Sequence, residues 1–176
     1  MPRICKVLLA LGVVLSVISC SSVSVASNKN ANFDQVITKI GVVIDVGDHK
    51  TMSGDLGDWL TTNIPKALQG AGVDAVAYKA TGVELTEEQY TNGATLVMLV
   101  KLVDGLEASQ GWAGSVLASG TFDVTIVDRS NNNSLVWRAN VKSSLGYGGI
   151  MNLDGIPKGI VSKLETDGLV KPATKS

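Results

Sequence analysis

The sequence predicts a single α+β domain, a mixed and mostly antiparallel sheet of about five strands with two main helices packed against it. Three observations lead there. Ala94–Val103 is a strongly apolar, β-branched run; Gly120–Asp128 and Leu135–Lys142 alternate apolar and polar residues on either side of a turn-rich segment; and helical-period stretches follow the first strand and close the chain. Strands interleaved with two helices give a layered α/β arrangement around one core. The domain is expected over residues 36–171, behind a signal peptide at 1–19 and a flexible tether at 20–35.

In chain order, Ile40-Gly41-Val42-Val43-Ile44-Asp45-Val46 reads as a central strand buried on both faces. A helix follows, with Ser53 as its N-cap, Asp55 and Asp58 at the positive end of its dipole, and Leu56, Trp59, Leu60, Ile64 and Leu68 at helical spacing. Pro65 is expected to kink or restart it. Gly70 and Gly72 end it, and Val73–Tyr78 alternates like a strand with one wet face. Thr86–Tyr90 suits a short helical turn, and Ala94–Val103 is the strongest strand. Residues 105–115, rich in Gly, Ser and Ala, read as a loop.

The clearest pairing comes next. Phe122, Val124 and Ile126 share one strand face, as do Leu135, Trp137, Ala139 and Val141. Between them Arg129-Ser130-Asn131-Asn132-Asn133-Ser134 supplies residues that tolerate positive φ, so the two runs form an antiparallel hairpin. Gly146-Tyr147-Gly148-Gly149 then leads to a last helix, capped by Asp154, with Pro157 in its first turn and Ile156, Ile160, Val161 and Leu164 facing the core.

The amino terminus is of another kind. Arg3 and Lys6 precede an apolar stretch from Val7 to Ile18, too short to span a bilayer, which ends Val17-Ile18-Ser19-Cys20. Signal peptidases need small side chains at the scissile bond, and Ser19 is one; lipid transfer needs a thiol, and Cys20 has it. The run resembles the bacterial lipoprotein lipobox. The resemblance implies cleavage between Ser19 and Cys20 and lipidation of Cys20, with diacylglyceryl and acyl groups as the membrane contact. Two or more chains anchor permanently where one is marginal. Ser21, in place of an aspartate, implies the outer membrane under the enteric sorting rule, with the periplasmic face favoured over the surface. Ser21 to Asn32, small and polar, reads as the tether.

Composition excludes several function classes. Cleavage removes 19 of the 176 residues, both basic groups of the leader and no acidic ones, leaving 13 basic residues against 16 acidic and a formal charge of −3. No basic stripe exists for nucleic acid. Cys5 leaves with the leader, so Cys20 alone remains, and no disulfide or cysteine metal site is possible.

Catalytic residues are not evident, and no cofactor is expected. His49 is the only histidine, in a loop after a strand, and no Gly-x-Ser-x-Gly elbow accompanies it. Asp45 with Asp48 lacks the spacing of a calcium loop; Glu84, Glu87 and Glu88 read as a solvated face. The glycine link lacks the lysine-serine pair of a P-loop. Trp137 belongs to the core, with Arg138 on the wet face. Trp112 in its glycine-rich segment and Tyr147 in the glycine link are the candidate interaction residues.

The hairpin ending Leu135-Val136-Trp137-Arg138 resembles one in several families of small Gram-negative lipoproteins of unknown function, similar in architecture to the amino-terminal domain of TolB and to the curli-secretion lipoprotein CsgG. The resemblance implies a non-enzymatic role in envelope assembly or as an accessory subunit, through a protein partner or self-association at a sheet edge or at the Trp112 segment. A small-ligand or lipid carrier of a transport system is the alternative, and a hydrolase would require His49 to meet both an acid and a nucleophile.

Overall fold

The computed structural model describes residues 22–80, 93–109, 115–144 and 151–172. Its elements are β1 (Val23–Lys29), β2 (Lys39–Asp45), the two-residue strands β3 (Lys50–Thr51) and β4 (Gly54–Asp55), helix α1 (Leu56–Gly70), β5 (Asp74–Lys79), β6 (Leu96–Ser109), β7 (Ser115–Asp128), β8 (Ser134–Ser143) and helix α2 (Gly155–Thr166). Six strands form one sheet in the order β1-β8-β7-β6-β2-β5. Neighbours from β1 to β6 are antiparallel, whereas β2 runs parallel to both β6 and β5. The predicted fold class holds, with six strands in the main sheet instead of about five.

The additional strand is β1, which occupies the segment expected to be a tether. Its seven residues pair in register with β8 from Val23 opposite Ser143 to Lys29 opposite Trp137. Only Val23 and Val25 are β-branched, so the segment lacks an apolar signal; those two valines nevertheless turn toward α2, where Gly155 and Gly159 leave room for them. Val23–Lys29, expected to be tether, are therefore part of the described sheet.

β2 lies between two strands, as expected of a central strand. Ile40, Val42 and Ile44 are buried beneath the helices, but Val43 and Asp45 on the other face are only partly covered. Burial on both faces is thus not reached among the described residues. The two helices sit together on one side, so the described residues form two layers.

α1 starts at Asp55 instead of Ser53: the Asp55 carboxylate accepts from the Asp58 backbone N–H at 2.9 Å. Pro65 neither ends nor restarts the helix, which continues to Gly70. Losing one N–H costs a single helical bond, and Ile64, Pro65 and Leu68 are buried against the sheet, which holds that turn in place. In α2 the Asp154 side chain makes no capping bond, and the Gly155 N–H donates to the side chain of Asn152 instead.

Residues 105–115 depart furthest from expectation. β6 runs on to Ser109 and β7 begins at Ser115, so the two 14-residue strands extend beyond the main sheet as a hairpin arm, with register shifts between Leu102 and Asp104 and between Leu106 and Glu107. These bulges break the period-two pattern that marks a strand, and Gly105 faces Gly120 across the ladder where the arm leaves the main sheet. The β7–β8 hairpin forms as predicted except at Leu135: a bulge at Val136 buries that residue and turns Leu135, expected beside Trp137, to the opposite face, where it is exposed. Asn132 and Asn133 adopt the positive φ angles, 51° and 56°, that the turn requires. Its inner face supplies Phe122, Val124, Ile126, Trp137, Ala139 and Val141 to the core, which Ile156, Ile160 and Leu164 complete from α2.

Candidate interaction surfaces

Trp137 is fully buried, and its indole N–H donates to Asp167 Oδ2 at 2.8 Å. The same carboxylate accepts from the Ser27 hydroxyl on β1 and pairs with Lys163 on α2 at 3.1 Å. Burial raises the Asp167 pKa, but these hydrogen bonds and the Lys163 charge outweigh it, so the group titrates below its ordinary 3.8. One carboxylate just past α2 thus joins an edge strand, a core strand and the last helix. Its role is structural.

Asp55 and Lys79 form a second such node. Lys79 donates to Asp55 at 2.8 Å and lies 3.4 Å from Asp58, while its methylenes cover Gly57 at the start of α1. The hydrogen bond from Lys79, then the capping bond from Asp58, lowers the Asp55 pKa; the same partner raises that of Lys79.

His49 meets an acid but not a nucleophile. Its Nδ1 lies 3.0 Å from Glu107 Oε1, and the Ser115 hydroxyl donates to Glu107 Oε2 at 2.7 Å. The carboxylate, not the imidazole, is the middle member, so the serine proton has no base to accept it in the manner of a triad. The Ser115 bond first, and then His49, holds the Glu107 carboxyl below its usual value. All three side chains are at the surface, and the arrangement ties the hairpin arm to the loop after β2. Asp45 lies 4.0 Å from Lys101. Among the described residues, no three His, Cys, Asp or Glu side chains are grouped to hold a metal ion.

The face of the sheet opposite the helices carries no other element among the described residues. One cross-strand row runs Tyr78, Val43, Leu99, Thr125, Arg138 and Asn28 from β5 to β1. The row beside it runs Val76, Gly41, Val97, Val127 and Leu135. Leu99 and Leu135 are 39% and 47% exposed. A third row is charged: Asp45, Lys101 and Asp123 sit opposite one another on β2, β6 and β7, and Arg138 makes a two-point bond to Asp123 at 2.9 and 2.7 Å. The face therefore offers an apolar band beside a strip of alternating charge.

On the helical side an open groove of about 530 Å³ separates α1 from α2, lined by Trp59, Lys66, Asp154, Pro157, Lys158 and Glu165 among others. Four of those six are charged and the groove is open, unlike the enclosed apolar pocket of a lipid carrier. Cys20 and Ser19, Trp112, Tyr147, the glycine link and Glu84, Glu87 and Glu88 lie outside the described residues.

Sequence reasoning found Arg138 on the wet face and His49 in a loop, and both are there. Asp167 was missed, because nothing local marks a residue whose partners lie 30 and 140 positions away. Its only local trace is the i,i+4 spacing from Lys163.

With the geometry in hand, similarity to solved structures can be placed. The fold is shared with the PelC dodecamer from Paraburkholderia phytofirmans, at a TM-score of 0.52 and 16% identity, over 86% of this chain and 100% of that one. Two more distant likenesses carry no weight: the hypothetical protein CT253 from Chlamydia trachomatis (TM-score 0.40, 13% identity, 76% of this chain and 94% of that one) and lipoprotein GNA1162 from Neisseria meningitidis (0.36, 18%, 74% and 96%). No family model matches the sequence, and no curated protein matches it. No helix among the described residues is long and apolar enough to cross a membrane.

Proposed function

We propose that the chain is a lipid-anchored envelope lipoprotein of the outer membrane, non-enzymatic, whose domain works as an accessory subunit by self-association. The observation that carries this reading is where the fold starts. β1 begins three residues after Cys20, so cleavage between Ser19 and Cys20 leaves the whole described sheet intact and gives the mature chain an acylated first residue. Self-association is supported by the apolar band on the helix-free sheet face, centred on Leu99. A shared fold with a protein that forms a dodecamer is consistent with it.

In-cell crosslinking of the lipidated protein, followed by affinity purification and mass spectrometry, tests this reading. The expected result is a ladder of crosslinked copies that Leu99→Glu removes, since a buried unpaired carboxylate is costly at an apolar contact. Recovery of one discrete different protein would make the chain a subunit of a mixed assembly. A monomer without a partner would contradict self-association.

A further inference from the structure

Strand directions fix which end of the domain is which. β2, β5, β6 and β8 run toward one end, and β1, β7 and the two helices run away from it. Ser22, the chain's entry into the fold, stands at that end and is tied there by hydrogen bonds to Ser144, its backbone carbonyl accepting from the Ser144 hydroxyl at 3.0 Å. We propose that this end of the domain, with Leu106 of the hairpin arm and Met52 of the β3–β4 turn, rests directly on the bilayer that holds the acyl chains of Cys20.

The inference rests on the lipoprotein reading and deepens it. Two residue steps separate Ser22 from Cys20, a reach of about 7 Å at full extension. The expected tether does not exist as a spacer, because Val23–Lys29 is consumed by pairing with β8. The row that contains Val23 continues through Ser143 and Gly120 to Gly105. Beyond that row β6 extends four more residues, Leu106 to Ser109, an added length of up to about 13 Å at the rise of a strand. From the same row Val23 lies three residue steps from Cys20, about 10 Å at full extension; the arm is longer than that reach, so anchoring brings it to the lipid surface.

What this end presents fits a bilayer held by acyl chains instead of by charge. Leu106 is 56% and Met52 48% exposed, among the few large apolar side chains left in solvent. The charged groups around them are mixed: Asp48, Asp104 and Glu107 against Lys50 and Lys142. Among the described residues no cationic patch draws this end to anionic lipid, and the contact is not expected to weaken with salt.

The test uses the full-length lipidated protein in vesicles of phosphatidylethanolamine and phosphatidylglycerol. Spin labels are placed through Leu106→Cys, Met52→Cys and, at the opposite end, Gln35→Cys, and flotation with the vesicles is measured on the same samples. The proposal expects anchoring to reduce access of a water-soluble relaxation agent to the labels at 106 and 52, to raise access of oxygen, and to leave the label at 35 unchanged, at low and high salt alike. If the protein floats through Cys20 but the label at 106 stays as wet as that at 35, the proposal is overturned and the lipid anchor stands. If Cys20→Ala protein floats equally well, the lipoprotein reading falls, and this one with it. Protection at 106 in unlipidated, vesicle-free protein would assign the surface to a second copy and overturn the proposal.

Discussion

Asp167 gathers three hydrogen-bond donors from separate elements, and it makes the stability of the fold sensitive to acid. Its folded pKa lies below 3.8, so the unfolded chain binds the proton more readily. The stabilisation is then fully present above pH 4 and is lost as the pH falls through the depressed folded value. Asp167→Asn should flatten the acid limb of a thermal-stability profile and, at neutral pH, cost about 1.5–3 kcal/mol for the charge-assisted bonds it gives up. Trp137→Ala should cost roughly 3–5 kcal/mol, read by denaturant unfolding, because a fully buried indole is removed. The position of Trp137 was legible in the alternation of its strand. Its partner was not, since an N–H that needs an acceptor says nothing of which distant segment will provide it.

The elements recognised from the sequence are those whose apolar period is intact. β7 alternates cleanly, as does β8 from Trp137 onward, and the two carry their turn chemistry between them, so their pairing and orientation followed, while the bulge at Val136 that turns Leu135 to the other face did not. β1 escaped notice because an edge strand needs only one apolar face, and here that face is two valines over two glycines. The hairpin arm escaped because its bulges break the alternation and its glycines read as a loop. At this scale Gly159→Leu is the discriminating substitution. A Cβ there meets Val25 at 3.0 Å and Val23 at 3.3 Å, so the larger side chain should push β1 from α2. Overpacking of this kind costs about 1–3 kcal/mol, against about 1 kcal/mol gained by removing a helical glycine. Amide exchange should accelerate across 23–29 while the core strands β2, β6 and β7 stay protected.

Over the whole molecule the features divide by end and by face. The end where Ser22 enters carries the surface proposed to meet lipid, the helix-free sheet face carries the apolar band, and the helices close the core behind it. Cys20→Ala should leave the domain folded, because the described sheet is complete from Val23 onward, and should abolish membrane fractionation. The most direct test of the account is the mass of the amino-terminal peptide of the protein extracted from membranes. The account predicts a chain that begins at Cys20 and carries diacylglyceryl and acyl groups on it. A chain that begins elsewhere, or a Cys20 with a free thiol, would contradict it.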